Sequence, residues 1–234
     1  MIAVIGDIHG CYYTLKELVK KVKLNYSVTE IYSVGDLIDR GKFSYEVIEY
    51  IIEKGIISTV GNHELMFYYY TNVPNNEIGN LWIFNGNETT LASYSGKKEK
   101  MNEHLNFIKN LPFYINLPDC FISHAGISSL LKKKLTADPL LKLENFNKIV
   151  KKYLDDEHGL IWNRDLLMNL GKLQIVGHTR QAQINYLQNN NTVYIDTSVY
   201  TGKKLSSIII EEGKIIDSLS VQTIPQDIEK KYSI

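Results

Sequence analysis

Short apolar runs alternate with amphipathic segments through the first third of the chain. Runs rich in β-branched residues predict strands at "IAVI", "EIYSV" and "IISTV". Between these runs, Leu15, Leu18, Val19 and Val22 recur at helical spacing, and a second helix is predicted over residues 45–54. This βαβαβ order favours a parallel sheet with helices packed on its faces. In such sheets, ligands bind in the loops that follow the carboxyl ends of the strands.

The remainder of the chain predicts an insert and then a more antiparallel second sheet. Residues 71–80 form a polar segment with Pro and Gly, and helices are predicted over 88–95, 101–110 and 146–154. The insert at 71–110 is interpreted as a lid or specificity element. Strands are predicted within "FYINLPDCFISHAG", and short strands at hairpin-like spacing follow at "LQIVG", "INYL", "TVYID", "LSSIIIE" and "KIIDSLSV". We therefore expect a single domain over residues 1–234 that ends in a weakly held tail at 225–234.

Composition narrows the expected partners and location. The chain has 234 residues, and 26 Lys and Arg balance 26 Asp and Glu. This balance gives no global signal for nucleic acid or an anionic membrane. No apolar run approaches membrane-spanning length and the start lacks a signal-peptide pattern, so we expect a cytoplasmic protein. Cys11 and Cys120 are too few for a disulfide framework and are expected to be buried thiols, while the oligomeric state stays open.

Polar side chains follow five predicted strands, and each group has a glycine beside it. The segments are "GDIHG" (Asp7, His9), "GDLIDRG" (Asp36, Asp39, Arg40), "GNHE" (Asn62, His63, Glu64), "SHAG" (His124) and "VGHT" (His178). Taken singly, each polar residue has an ordinary explanation as a helix cap or a structural histidine. Capping does not explain why glycine recurs in every loop, whereas close approach of the backbone to a ligand does.

The side-chain chemistry of this set indicates a metal site. Carboxylates, imidazoles and an amide without any thiolate favour manganese, iron or zinc over a Cys-rich structural zinc or an all-oxygen calcium site. The number of ligands fits two ions better than one. A carboxylate that bridges two ions is the arrangement that supports in-line displacement at phosphorus.

The ordered motifs from Gly6 to Thr179 resemble those of the calcineurin-like metallophosphoesterases. Within them, the chain is similar to the branch containing the Ser/Thr phosphoprotein phosphatases, their bacterial and phage relatives, and the symmetrical diadenosine tetraphosphate hydrolases. The resemblance implies an α/β fold with a central β-sandwich of two mixed sheets flanked by helices. It also implies two divalent metal ions. Mn²⁺ is the expected metal, and Fe or Zn are the alternatives. One ion would be held by Asp7, His9 and Asp36, and the other by Asp36, Asn62, His124 and His178.

The resemblance also implies roles in catalysis. A hydroxide held between the ions would attack phosphorus, and His63 would protonate the leaving group while Asp39 keeps it charged. The alternative for Asp39 is a simple ion pair with Arg40. Arg40 and Arg164 would grip the phosphoryl oxygens. The assignment of Arg164 depends on likeness to a short Trp-x-Arg segment, and its alternative is an ordinary surface position.

Several further residues have simpler interpretations. Glu64 is expected to order its loop or to start the following helix. The run "FYYYT" at 67–71 could line a substrate groove, but helical aromatic residues more often serve packing. His104 and His158 match no motif and are predicted to be surface histidines. Val60 stands where many phage-type phosphatases have an arginine, so one phosphate-binding group is missing or replaced.

The predicted function is metal-dependent hydrolysis of phosphomonoesters, with phosphoserine or phosphothreonine in proteins as the substrate. Asp39 matches the phosphatases, whereas Val60 and "GDIHGCY" are closer to the dinucleoside polyphosphate hydrolases. A symmetrical dinucleoside polyphosphate hydrolase is therefore the alternative, and the expected partner is a phosphoprotein or a nucleotide. The third hypothesis is a non-catalytic, metal-binding regulatory protein. Such a protein would lack some of the residues that catalysis needs, whereas every expected ligand is present in this sequence.

Overall fold

The computed structural model describes residues 1–133 and 143–229, and side chains over 1–131 and 146–229. The strands are β1 (Ile2–Ile5), β2 (Glu30–Ser33), β3 (Ile57–Ser58), β4 (Tyr114–Asn116), β5 (Cys120–Ser123), β6 (Leu173–Val176), β7 (Asn185–Leu187), β8 (Thr192–Tyr194), β9 (Lys204–Glu211) and β10 (Lys214–Gln222). The α-helices are α1 (Tyr12–Asn25), α2 (Ser44–Lys54), α3 (Asn62–Asn72), α4 (Glu77–Leu81), α5 (Asn87–Ser93), α6 (Lys98–Lys109) and α7 (Leu143–Lys152).

The strands form two mixed, five-stranded sheets. The first has the order β10-β9-β1-β2-β3, in which β1, β2 and β3 are parallel. The second has the order β4-β5-β6-β8-β7, in which β5, β6 and β8 are parallel and both edge strands are antiparallel. The β-sandwich of two mixed sheets that the resemblance implied is confirmed.

Because side chains alternate along the strands, apolar residues pack in two kinds of layer. One layer lies between the two sheets, and the others lie between a sheet and the helices on its outer face. In β1, Val4 packs between the sheets with Ile122 and Val193, because successive side chains point to opposite faces. Ala3 and Ile5 face the other way, onto the helical layer of α1 and α2. Helix α7 covers the outer face of the second sheet through its apolar residues. The sheets are therefore buried on both faces near the site, and their strand ends lie together at one edge.

Two predictions about the elements need correction. Helix α4 begins at Glu77, inside the segment predicted as a loop, because Asn76 caps it by accepting the Gly79 N–H at 3.0 Å and Ile78 is buried. The last two predicted strands do not extend the second sheet. They form the β9–β10 hairpin, which joins the first sheet through antiparallel pairing of β9 with β1.

The chain segment after β10 is attached to α1. The Asp227 carboxylate is buried and accepts the backbone N–H groups of Tyr13 and Thr14 at 2.9 and 2.8 Å. It thus caps the N-terminus of α1 from a distant part of the sequence. Within the predicted tail, Asp227 and Ile228 are therefore packed whereas residues 225 and 226 are exposed, and residues 230–234 lie outside the described part. Within the described ranges, no helix is both long and apolar enough to cross a membrane.

Candidate metal centre

The loops after β1, β2, β3 and β6 meet at one cavity of about 310 Å³. Its lining includes these residues predicted from the sequence: Asp7, His9, Asp36, Arg40, Asn62, His63, Arg164 and His178. Asp39 and His124 are fully buried directly behind this lining, in contact with His63 and Asn62 respectively. The structure therefore brings together all ten residues that the sequence analysis placed in the site.

The first candidate metal group lies around one oxygen of Asp36. The Nε2 atoms of His9 and His63 are 3.6 and 3.9 Å from Asp36 Oδ2. His9 donates its Nδ1–H to the Ile38 carbonyl at 3.0 Å, which leaves the Nε2 lone pair facing the cavity. Such an outer-shell bond to a carbonyl is usual for a metal-binding histidine. Arg40 Nη1 donates to this same lone pair at 3.1 Å.

The second group lies around the other oxygen of Asp36. His124 donates its Nδ1–H to the Val34 carbonyl at 3.0 Å, so its Nε2 carries a lone pair. This Nε2 is 3.4 Å from Asp36 Oδ1, 2.9 Å from Asn62 Oδ1 and 3.1 Å from His178 Nδ1. Four potential ligand atoms thus converge. Asp36 presents one oxygen to each group, as a bridging ligand would.

A buried carboxylate oxygen without a partner supports the fit to divalent cations. Asp7 Oδ1 is buried and has no hydrogen-bond partner in the described part of the chain. Burial lowers the pKa of His124 to about 4 and raises the pKa of Asp36 to about 7. A neutral imidazole has a lone pair that can bind a cation. A buried carboxylate has a charge that is costly to bury, and a cation offsets that cost. The donor set of oxygen and nitrogen without sulfur fits a divalent transition metal.

The observed groups differ from the ligand sets implied by the resemblance at two residues. The atoms within reach of a single ion are those of His9, Asp36 and His63, and those of Asp36, His124 and His178. The first group contains His63, which the sequence analysis assigned to proton transfer. Asp7 lies beside the groups, where its Oδ2 accepts the His178 N–H at 3.0 Å.

Backbone conformation at the site is strained. His9, Asp36, Asp39, Arg40 and His178 adopt positive φ values between 46° and 71°. Non-glycine residues rarely adopt this region, and such strain tends to cluster at functional sites. Glycine is required at position 177 for a different reason: a Cβ atom there would collide with Asp7 Oδ1 and Val34.

A buried dyad stands beside the first group. His63 Nδ1 is 2.6 Å from Asp39 Oδ2, and both side chains are almost completely buried. Asp39 also accepts the Trp82 Nε1–H at 2.8 Å and the Thr90 hydroxyl at 2.6 Å. Its carboxylate therefore pairs with His63, and Arg40 is not among its ion-pair partners in the described residues. The insert at 71–110 supplies both extra donors.

Burial sets the protonation state of this dyad. It raises the pKa of Asp39 to about 7, against the opposing effect of the Thr90 and Trp82 hydrogen bonds, and it lowers the pKa of His63. Each shift favours the uncharged form of its side chain, so together they disfavour a net charge on the pair. The net-neutral pair keeps a proton on Nε2, whether the shared proton lies nearer His63 or Asp39. The dyad can therefore donate a proton into the cavity.

Three arginines surround the cavity. The Arg40 guanidinium lies 4.4 Å above the Tyr200 ring, and Arg180 donates to the Tyr200 hydroxyl at 3.1 Å. Arg164 is exposed, lines the cavity and lies 3.5 Å from the His178 carbonyl, and its role in phosphate binding stays a prediction. Val60 is a core residue, and Arg180 approaches the cavity from another loop.

Other predicted roles can now be compared with the structure. His104 was predicted to be on the surface, which is wrong: it is 1% exposed and bonded to Tyr94 and Glu49 at 2.6 and 2.7 Å. His158 is partly exposed and bonded to Asp165 at 2.6 Å. Phe67 in the aromatic run packs on the Trp82 ring at 4.8 Å, which favours packing over groove lining. Cys11 and Cys120 are buried free thiols, as predicted.

Sequence reasoning missed Asp196, which is buried in the wall of the cavity. It follows β8 as Asp7 follows β1, so the strand-end rule could have found it. Burial and, after it, the charge of Asp196 raise the pKa of Asp7, and the second carboxylate adds to the negative potential that a cation would balance. Tyr200, Arg180, Trp82 and Thr90 were also missed, because their contacts depend on long-range packing.

Comparison with known proteins identifies the family. The family model of the calcineurin-like phosphoesterases matches residues 1–208. "Bis(5'-nucleosyl)-tetraphosphatase PrpE [asymmetrical]" of Anoxybacillus flavithermus is 29% identical over 97% of this chain and 96% of its own. "Serine/threonine-protein phosphatase 2" of Salmonella typhimurium is 28% identical over 87% and 89%. A protein serine/threonine phosphatase from Saccharomyces cerevisiae shares the fold, with a TM-score of 0.60 and 15% identity over 95% and 80%.

The chain belongs to the calcineurin-like phosphoesterases. It is a metallophosphoesterase, a hydrolase of phosphoric esters, and members of the family depend on divalent metals. Its relatives carry names for two substrate classes, phosphoproteins and dinucleoside polyphosphates.

Proposed function

We propose that this protein is a phosphomonoesterase that acts on phosphoserine and phosphothreonine in proteins. The observation that carries the proposal is the buried His63–Asp39 dyad, with its 2.6 Å contact. A serine or threonine leaves as an alkoxide, a strong base that needs a proton in the transition state. A nucleotide leaves as a phosphate, which is a weak base, so it gains little from such an acid.

The chain's own side chains have separable tasks in this reaction. Asp7, His9 and Asp36 would hold one ion, and Asp36, Asn62, His124 and His178 the other. Mn²⁺ is proposed because the donors combine oxygen and nitrogen without sulfur. When bound, the pair of ions supplies an activated water and neutralises phosphoryl charge. Arg40 and Arg164 bind phosphoryl oxygens through charge-assisted hydrogen bonds, which orients phosphorus for attack. His63 holds a proton on Nε2 for the leaving oxygen.

Substrates that differ in leaving group test this proposal. His63→Asn should lower kcat/KM for a phosphoserine peptide by about 10²–10⁴, the usual size of a general-acid contribution. For p-nitrophenyl phosphate, whose phenolate leaves without a proton, the loss should be much smaller. Metal content of the variant must be measured alongside, because His63 also lies near Asp36. Equal losses on both substrates with full metal content would contradict the acid role.

A second candidate, hydrolysis of dinucleoside polyphosphates, is favoured by a neighbouring cavity. This cavity of about 370 Å³ shares Trp162 and Arg164 with the metal centre. Its other walls combine apolar Ile78 with the carboxylates of Asp155 and Glu157. A purine could stack on the Trp162 ring and donate its amino hydrogens to a carboxylate.

Product analysis separates the two candidates. Purified metal-loaded enzyme is given diadenosine tetraphosphate or a phosphoserine peptide at matched concentrations. Faster release of ADP, or of AMP and ATP, than of peptide phosphate would favour the second candidate. Trp162→Leu should then lower kcat/KM for the dinucleotide more than for p-nitrophenyl phosphate, whereas the phosphoprotein hypothesis predicts no such difference.

A further inference from the structure

A cationic cavity of about 390 Å³ adjoins the metal centre. Arg164 and Arg180 line both cavities, whereas Lys203 lines only the cationic one. Among the described residues, no carboxylate side chain is part of this lining, and uncharged residues complete the wall. None of the three cations takes part in an ion pair between described residues. The cavity therefore presents a positive potential to a ligand.

Backbone hydrogen bonds fix the shape of this cavity. It lies between the loop after β6 and the segment after β8. The Gln181 N–H donates to the Asp196 carbonyl at 2.9 Å, which joins these two parts of the chain. The Lys203 carbonyl accepts the Thr223 N–H at 2.9 Å, which ties the backbone of Lys203 to the end of β10. The exposed Lys203 side chain thus extends from a backbone that is held in place.

Arg180 and Lys203 contribute differently to the positive charge. Arg180 donates to the Tyr200 hydroxyl at 3.1 Å, which orients it at the boundary of the two cavities. Burial raises the pKa of Asp196, and the charge of Arg180 is among the effects that oppose this shift. Part of the field of Arg180 therefore acts on the metal centre. Lys203 is the cation that faces the cationic cavity alone.

The neighbouring cavity of about 370 Å³ has the opposite character. Its lining includes three carboxylate side chains, those of Asp155, Glu157 and Asp165. Arg164 lines this cavity, the metal centre and the cationic cavity, so the three are continuous around one side chain. The carboxylates line only one of the two flanking cavities, and Lys203 lines only the other. A substrate segment at the metal centre therefore meets opposite charges in its two flanking cavities.

We propose that the cationic cavity binds the carboxylate of an Asp or Glu side chain close to the phosphoserine in the same substrate segment. Lys203 and Arg180 would bind it through charge-assisted hydrogen bonds. A Lys or Arg side chain at the same place would meet like charges, so the cavity also discriminates against basic residues there. This inference names the class of substrate, an acidic phosphopeptide, and rests on the proposed function.

Binding can be tested separately from turnover. The probes are peptides with blocked termini in which a methylene group replaces the ester oxygen of phosphoserine, so that they cannot be hydrolysed. A single Glu, Gln or Lys is placed in turn at each of the two positions before and the two positions after this residue. Inhibition constants are measured for the metal-loaded enzyme against p-nitrophenyl phosphate, at constant free Mn²⁺. At one position or more, Glu should bind about fivefold more tightly than Gln, the size expected for an exposed ion pair, and Lys more weakly than Gln.

Charge reversal assigns this preference to Lys203. Lys203→Glu should bind the Lys peptide more tightly than the Glu peptide at the same position, and Lys203→Gln should lose most of the preference. Lys203→Gln should also hydrolyse p-nitrophenyl phosphate at close to the wild-type rate, because Lys203 does not line the metal centre. Lys23→Glu is the matched control for net charge, since Lys23 is exposed in the last turn of α1. It should keep the wild-type order of the three peptides.

The possible results separate this inference from the proposed function. Equal inhibition by the Glu, Gln and Lys peptides at all four positions would overturn the inference. So would a wild-type order of peptides in Lys203→Glu, or absence of any inhibition by the peptides. If the Glu preference is present but ordinary phosphoserine peptides are not hydrolysed, the proposed function alone is wrong. Hydrolysis of those peptides without a Glu preference contradicts this inference alone.

Discussion

The carboxylate of Glu64, in the first turn of α3, accepts the backbone N–H of Asp36 at 2.9 Å. The same side chain accepts the N–H groups of Leu37, Ile38 and Gly61 at 2.8, 3.3 and 2.8 Å. Asp36 has a φ of 49°, so its left-handed turn needs support. Glu64 supplies that support from the neighbouring loop, and it thereby fixes the orientation of the candidate bridging ligand.

Replacement of Glu64 by glutamine should therefore damage the metal centre. A glutamine side chain has an NH₂ group in place of one carboxylate oxygen, and this group cannot accept hydrogen bonds from backbone N–H groups. Glu64→Gln should therefore lower the free energy of unfolding by about 1–3 kcal/mol. Mn²⁺ affinity should fall as well, because Asp36 loses its fixed orientation. Urea unfolding and metal titration measure the two effects. Glu99→Gln, at an exposed position of α6, is the control, and equal behaviour of both variants would contradict this role.

Asp36 itself should couple the two metal positions. Its Oδ2 faces His9 and its Oδ1 faces His124, so Asp36→Ala removes an oxygen from each group. We expect both ions to be lost or weakened together. Asn62→Ala, which touches only the second group, should weaken one ion alone. Metal analysis after gel filtration gives the stoichiometry, and retention of two tightly bound ions by Asp36→Ala would contradict a bridging role.

The candidate metal ligands could be predicted because each follows a strand in a loop that contains glycine. Asp7, Asn62 and His178 satisfy this rule, and parallel strands bring such loops to one edge. Asp196 also follows a strand, but no glycine stands beside it in the sequence, and it was missed. Local pattern therefore found the candidate ligands that have a glycine close by in their loops and overlooked Asp196, which has none beside it.

Contacts that depend on packing between distant elements could not be predicted. Trp82 and Thr90 reach Asp39 only because the insert folds against the loop after β2. Similarly, the alternation of apolar and polar residues along the last two strands determines which side chains face the core. It does not determine which of the two sheets these strands join. The pairing of β9 with β1 therefore appears only in the structure.

Trp82 should tune the proton affinity of the dyad. Its hydrogen bond lowers the pKa of Asp39, so Trp82→Phe should raise that pKa while keeping most of the packing on Phe67. The dyad would then keep its proton to higher pH, and the alkaline limb of kcat/KM for a phosphoserine peptide should move upward. Thr90→Val should act in the same direction, because it removes the other donor. A downward shift in either variant would contradict this account.

His104 should make stability depend on pH. Its Nδ1 accepts the Tyr94 hydroxyl and its Nε2–H donates to Glu49, so the ring is buried in its neutral form. Burial lowers its pKa from the ordinary value of 6.5. Between the folded-state pKa and 6.5, the unfolded chain binds a proton that the folded chain does not, so the free energy of unfolding rises with pH through this window.

Removal of the imidazole should therefore flatten this dependence. In His104→Gln, the free energy of unfolding should fall less steeply than in the wild type as pH drops below about 6.5. Lost packing lowers the stability of the variant at every pH, so only the difference in slope reports the histidine. Urea unfolding at matched pH values measures both curves, with the histidines of the candidate metal centre unchanged in the two proteins. Parallel curves would mean that His104 takes up its proton equally in the folded and unfolded states.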